Sequence, residues 1–273
     1  MTTPAPEQLK AGVTGVFDRA AATYDQVGVD FFGRIGLELV ARTAPAPGER
    51  VLDLGCGRGA SALPAARAVG PTGRVVATDL APTMVRGVRQ QATDLPWLEA
   101  EVGDAEHPPA GPWDVVQASL VLFFLPGLSG ALDRYREVLA PQGRLGLTWF
   151  GRGDDSWDGV QQMIRESIPE DRRPPEIPRS GPFSSVEAQH SSLAEHGFGD
   201  AETTDFRVEV SFRDPDHWWS WIWSQGQRHL LEQLDAAGTL EDTTERVNAV
   251  LDQRHRDGTL AWWTEVRCTV ARA

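Results

Sequence analysis

Apolar positions along this chain recur at two spacings, and the switches between them mark out strands and helices. Residues 1–12 are rich in Thr, Pro and Ala and are expected to fray. From Val13 the period is helical, with Val16, Phe17, Ala20 and Ala21 on one face and an end near Tyr24 and Asp25. A second helix over residues 31–42 carries Phe31, Ile35, Leu39 and Val40 and stops short of Pro45. Val51, Leu52 and Leu54 suit a parallel strand covered on both faces, and a helix follows to residue 69 with Pro64 near its first turn. Further strands are predicted over residues 74–78, 97–102, 113–119 and 144–150, with helices over 82–91 and 129–139. Such a succession of strand-helix units predicts an α/β fold with a doubly wound, mostly parallel sheet.

The pattern changes after residue 150. A short helix over 157–167 leads into residues 169–175, whose prolines and charges suit a lid or cap loop. Ser184 with Glu187 reads as a capping box for a helix ending at His196 and Gly197. Residues 203–212 alternate strictly, with Phe206, Val208, Val210 and Phe212 on one face. Asp214 and Pro215 open a helix running past His217 to His229, and its Trp218, Trp219, Trp221 and Trp223 are too closely spaced for all four to face one core. A helix over 243–256 and a strand over 260–270 close the chain, the latter with Trp262, Thr264, Val266, Cys268 and Val270 on one face.

The richest chemistry lies at residues 51–59, where a buried strand runs into a loop with Gly55, Gly57 and Gly59 and then into a helix. Glycines there allow a sharp turn and leave no Cβ between backbone and ligand, and the helix N-terminus offers free N–H groups. Gly55, Gly57 and Ala60 also satisfy the dinucleotide pattern, so the spacing leaves NAD open. Asp53 favours a cationic ligand, because its carboxylate opposes a pyrophosphate and suits an ammonium or sulfonium. Asp79 ends the next strand 20 residues beyond Gly59, the spacing of a ribose-binding acid; the alternative is a cap for the following helix.

Composition narrows the partners. A formal charge of −13 opposes a nucleic-acid surface, and no apolar run approaches the length of a membrane span. Two cysteines, Cys56 and Cys268, are too few for a disulfide framework, and the chain start has no basic-then-apolar signal, so a reduced, cytoplasmic setting is expected. These features leave a homodimer open.

The acidic residue followed by G-x-G-x-G, Asp53 to Gly59, resembles the first motif of the class I S-adenosylmethionine-dependent methyltransferases, in particular small-molecule enzymes related to the quinone C-methyltransferases and to those of bacterial secondary metabolism. The resemblance implies a seven-stranded Rossmann-like sheet with helical cap insertions, the last strand entering beside the fifth. It divides the chain into N-terminal helices closing over the cofactor (1–46), a donor-binding core (47–151), and cap insertions with the last two strands (152–273). It implies that Asp53, Gly55, Gly57 and Gly59 cradle the methionine part of S-adenosylmethionine, with Cys56 a small buried residue beneath the cofactor. Asp79 would take the ribose with Leu80 and Met84 alongside, Asp104 and the Ala105 backbone would read the adenine, and Tyr24 would lie near the methyl group. Ser119, at the carboxyl end of its strand, is expected to face the crevice where open α/β sheets bind ligands. Cys56 is a variable position of that motif and has no redox role. The product would be S-adenosylhomocysteine.

The motifs describe the donor, not the acceptor, which is expected to be a small, largely apolar or aromatic molecule. Methyl displacement needs alignment and exclusion of water more than a nucleophile, and any general base is sought among Glu170, His217, His229 and His190. Tyr24, Trp218, Trp221 and Arg228 are candidates for the acceptor pocket, against the plainer reading of the tryptophans as packing. A rival reading is a C-methyltransferase of isoprenyl diphosphates, with Arg172, Arg173, Arg179 and Arg228 on the diphosphate, Glu170 as base and Mg²⁺ as a further cofactor. Another is a non-methylating protein that keeps the cofactor as scaffold. No dedicated metal ligands are expected otherwise.

Overall fold

Seven strands form one sheet in the order β3-β2-β1-β4-β5-β7-β6, in a computed structural model that describes residues 5–173 and 181–273. They are β1 (Arg50–Leu54), β2 (Arg74–Asp79), β3 (Leu98–Val102), β4 (Trp113–Ser119), β5 (Leu139–Gly153), β6 (Gly199–Ser211) and β7 (Ala261–Arg272). The first five run parallel, while β7 lies antiparallel between β5 and β6. The register sets Asp53 beside Ala77 and Gln117, and Ser119 beside Thr148, so the strands of the parallel half end together and form one crevice.

The helices are α1 (Pro6–Ala20), α2 (Phe32–Thr43), α3 (Ala62–Val69), α4 (Pro82–Gln91), α5 (Leu128–Val138), α6 (Asp158–Glu166), α7 (Val186–Glu195), α8 (Pro215–Trp223), α9 (Arg228–Ala237) and α10 (Leu240–Arg256). Side chains alternate across the pleat, so Val51, Val75 and Val115 pack with Ala62, Ala66 and Val69 on one face. Leu52, Leu54, Val116, Leu145 and Leu147 pack with Leu132 and Tyr135 on the other. A separate core joins α6, α8, α9 and α10 to β6 and β7.

Four expectations are corrected. Helix α1 begins at Pro6 rather than Val13, because proline at the first helical position needs no N–H partner and already has a helical φ. Ser185, not Ser184, caps α7, accepting from Ala188 N at 3.1 Å. The helix read through His229 is two, since the turn at residues 224–227 closes on itself, Gln227 N donating to Gln225 Oε1 at 3.0 Å. Trp218, Trp219 and Trp221 are all buried in one core and Trp223 packs at its edge, because helices and strands enclose α8 on several sides.

Candidate active site

At the end of β1 the chain turns through Gly55, Gly57 and Gly59 at φ of +62°, +52° and +92°, where side chains other than glycine are strained. A Cβ on Gly55 would lie 2.5 Å from Val121 Cγ2. The Gly57 amide donates to Asp79 Oδ2 at 2.9 Å, and Ala81 N donates to Oδ1 at 2.8 Å. Asp79 therefore ties the glycine loop to the end of β2, in a half-buried position whose burial raises its pKa against the pull of these two amides. Each oxygen retains a lone pair for a hydroxyl. Leu80 beside it is half-buried. Cys56 is buried, and burial pushes its thiol well above the usual range, so it stays protonated.

Asp53 departs from the sequence reading. Its carboxylate is fully buried, accepting from Ser61 Oγ at 2.9 Å on both oxygens and from the Ala62 amide, so it faces the start of α3 instead of the open crevice. A ligand above the loop meets its field but not its atoms. Burial, opposed by Ser61, raises its pKa from 3.8 to about 7. A carboxyl raised by folding stabilises the fold below its unfolded pKa and loses that contribution as pH climbs through the folded value. Asp53→Asn has no such titration, so its stability relative to wild type should improve by roughly 2–3 kcal/mol between about pH 4.5 and 7.5, at about 1.4 kcal/mol per unit. Chemical denaturation at the two pH values checks this; a constant difference sinks it.

Asp104 and Ala105 follow β3. Asp104 accepts from Glu106 N at 2.9 Å and from Lys10 Nζ at 2.7 Å, with His107 Nδ1 at 3.3 Å. Burial pushes this carboxyl up, but the Lys10 ammonium and these hydrogen bonds hold it below the usual range. The Ala105 carbonyl is held from below by Tyr135 Oη at 2.7 Å. Met84 is buried with Ala21 and Ala81, against which Phe17 and Tyr24 pack. Tyr24 stacks on Phe32 at 4.3 Å, and its ring is 3.7 Å from the place a Gly57 Cβ would occupy. Ser119 Oγ lies 3.1 Å from Thr148 Oγ1 at the crevice end of β4. Asp79, Asp104 and Ser119 thus stand at or just beyond the carboxyl ends of β2, β3 and β4, with Gly57 bonded to Asp79, Tyr24 packed close to Gly57 and Met84 buried beneath, and carboxylates at this edge suit a cation over a pyrophosphate.

The cap residues are distributed otherwise. His217 is buried with both ring nitrogens engaged, Nδ1 with Arg213 N at 3.1 Å and Nε2 with Val27 O at 2.8 Å, so its ring is tied to backbone on both sides. His229 is half-buried on the first turn of α9, and Glu170 is exposed. His190 pairs with Thr203 Oγ1 at 2.9 Å. Arg172 donates to Ala236 O, and Arg173 to Ile168 O and Glu166 O, so these two are spent on backbone and do not converge with Arg228 on a diphosphate. Arg179 lies outside the described residues. Trp218 stacks on Trp157 at 5.7 Å and Trp221 packs on Phe212 and Trp262, both inside the cap core. The neighbouring face of α8 is the open one. Trp219 and Trp223 line a cavity of about 560 Å³ with Thr23, Val27, Ser220 and Arg228. Among the described residues no cluster of three or more His, Cys, Asp or Glu is placed to hold a metal.

Lys10, Gly36, Ser61 and Phe124 escaped the sequence reading. Lys10 alone had a signal, being the only lysine in the chain.

Residues 51–143 match the family described as a methyltransferase domain. The chain is 41% identical over 182 residues to aklanonic acid methyltransferase DauC of Streptomyces sp. strain C5, covering 62% of this chain and 83% of that one. It is 35% identical over 237 residues to nocamycin O-methyltransferase of Saccharothrix syringae, covering 81% and 84% respectively. Its fold is similar to the crystal structure of YcgJ from Bacillus subtilis, with a TM-score of 0.54 at 15% identity over 87% of this chain and 97% of the other. These matches do not favour the diphosphate or scaffold readings. With such relatives aligned over most of their length, the chain belongs to the class I S-adenosylmethionine-dependent methyltransferases.

Proposed function

We propose that this enzyme transfers the donor methyl group to an oxygen of a small, flat, largely apolar metabolite of bacterial secondary metabolism. One observation carries the acceptor class: a run of aromatic rings borders the crevice. Phe17 lies 6.0 Å from Tyr24 and 5.9 Å from Phe124, and Phe123 lies 4.6 Å from Phe124 and 5.7 Å from Phe150. Phe124 and Phe150 are exposed, a costly arrangement for single apolar rings and a favourable one for a flat ligand. The O-methyl reading draws on the nocamycin relative, named for that chemistry.

In this reading residues 47–151 hold the donor. Gly55, Cys56, Gly57 and Gly59 take its methionine part, Asp79 its ribose beside Leu80 and Met84, and Asp104 with the Ala105 backbone its adenine. Residues 1–46 close over it, and residues 152–273 supply the cap. When bound, S-adenosylmethionine supplies an electrophilic methyl on a sulfonium. The chain's residues align the partners and exclude water, with Tyr24 and Ser119 bordering the reacting atoms. His217 holds residues 27 and 213 together. No helix among the described residues is long and apolar enough to cross a membrane, and we place the reaction in the cytoplasm.

Asp79→Ala is expected to weaken S-adenosylmethionine binding roughly 10- to 100-fold in calorimetry, since charge-assisted hydrogen bonds are lost. Wild-type affinity in that variant removes the ribose assignment. Release of S-adenosylhomocysteine with a panel of planar phenols, aromatic acids and aliphatic amines tests the acceptor; turnover confined to the amines overturns it.

A further inference from the structure

We propose that Lys10 is a positioning residue that clamps α1 over the donor crevice and fixes the Asp104 carboxylate beneath it. The inference rests on the donor-site reading. Lys10 is the only lysine beside 25 arginines, and its ammonium lies 2.7 Å from Asp104 Oδ2 and 2.7 Å from Glu106 Oε2. The three side chains are 11%, 22% and 10% exposed, so solvent screens this pair of contacts far less than a surface ion pair. A compact ammonium with three donors can bridge carboxylates from separate directions, which a planar guanidinium does less readily. Glu106 Oε1 also accepts from Gly127 N at 2.6 Å, ahead of α5. One side chain therefore joins α1, the turn after β3 and the start of α5.

The rest of α1 lies across the same crevice. Asp18 Oδ1 accepts from Thr83 N at 3.1 Å on the first turn of α4, and Arg58 Nη1 donates to Ala21 O at 3.0 Å. Between these anchors Phe17, Ala21 and Tyr24 pack on Ala81 and Met84, the residues that follow Asp79. A ligand seated against Gly57, Asp79 and Asp104 lies beneath α1 and exchanges only when Lys10 lets go. Asp104 keeps acceptor capacity on Oδ1, which takes only Glu106 N, so Lys10 and a donor amino group can share one carboxylate. Helix α1 closed on Lys10 thus holds the donor in place instead of competing with it.

The single lysine makes the test direct. The full chain is treated with an amine-directed acetylating reagent, with and without saturating S-adenosylhomocysteine, and modification at Lys10 is followed by peptide mass spectrometry. S-adenosylhomocysteine is expected to slow it roughly tenfold or more, as closure lowers the open population. In stopped-flow measurements Lys10→Met should release S-adenosylhomocysteine roughly 10- to 50-fold faster with little change in association rate, and Lys10→Arg, which keeps the charge but not the bridging geometry, should restore only part of the difference. A modification rate indifferent to S-adenosylhomocysteine, or wild-type release from Lys10→Met, overturns the clamp. Calorimetry on the wild-type chain separates the failures. Absent binding removes the donor-site reading itself, whereas binding without protection removes only the role of Lys10.

Discussion

Gly55→Ala abolishes useful donor binding, with an expected loss of roughly 100-fold in S-adenosylmethionine affinity and an intact circular dichroism spectrum. Two costs combine. At φ +62° an alanine Cβ crowds its own backbone by roughly 1–2 kcal/mol. That Cβ would also fall 2.5 and 2.8 Å from the Val121 methyls, an overpacking of roughly 1–3 kcal/mol. The loop relieves both by shifting, and the shift moves the Gly57 amide away from Asp79, the acid proposed to take the ribose. Calorimetry reads the loss. A companion Val121→Ala should recover only the packing share, leaving the backbone share in place, so complete recovery in the double variant would refute the argument from φ.

Gly36→Ala, outside the glycine loop itself, should be the more damaging to the fold. Gly36 lies in the middle of α2, where an added Cβ would sit 2.1 Å from Ala60 O, 2.3 Å from Ala60 C and 2.8 Å from Ser61 N. These are backbone atoms of the glycine loop and cannot swing aside, so α2 must move off the loop that Ser61 and Asp53 anchor. A loss of about 3 kcal/mol or more is expected, or roughly 6–12 °C in Tm for a chain of this size, with weaker donor binding alongside. Thermal and chemical denaturation check this, and a variant as stable as wild type would show that the close approach of α2 is dispensable.

The cap shows how helical phase decides which aromatic residues serve the core. Trp218 and Trp221 are three residues apart and share the buried face, while Trp219 and Trp223 are four apart and share the face bordering the cavity with Arg228. Trp219 serves both sides, its Nε1 donating to Asn248 Oδ1 at 2.7 Å while its ring packs edge-on to Trp218 at 4.8 Å. Arg228 stands over Trp223 at 5.3 Å and is steadied by Glu232, a carboxylate it shares with Arg19 of α1. The aromatic lining and helix α1, proposed to cover the donor, are thereby connected.

The sequence alone determined the parallel core, the glycine loop and the carboxylates closing β2 and β3, while the place of the last strand beside the fifth was implied by the family resemblance. Strand period, glycine at a turn and strand-end acids are local properties, set by residues a few positions apart. What it left open depends on contacts between distant segments. Asp53 reads as a ligand-facing acid until the fold turns it toward Ser61, and nothing within α1 tells that Lys10 meets Asp104, 94 residues away. The freedom of His217 is removed by Val27, 190 residues away, and the need for Gly36 arises only where α2 crosses the loop. Local pattern selects the elements, but burial, partner and charge at each functional atom belong to the surfaces those elements present to one another, and only the tertiary structure brings these surfaces together.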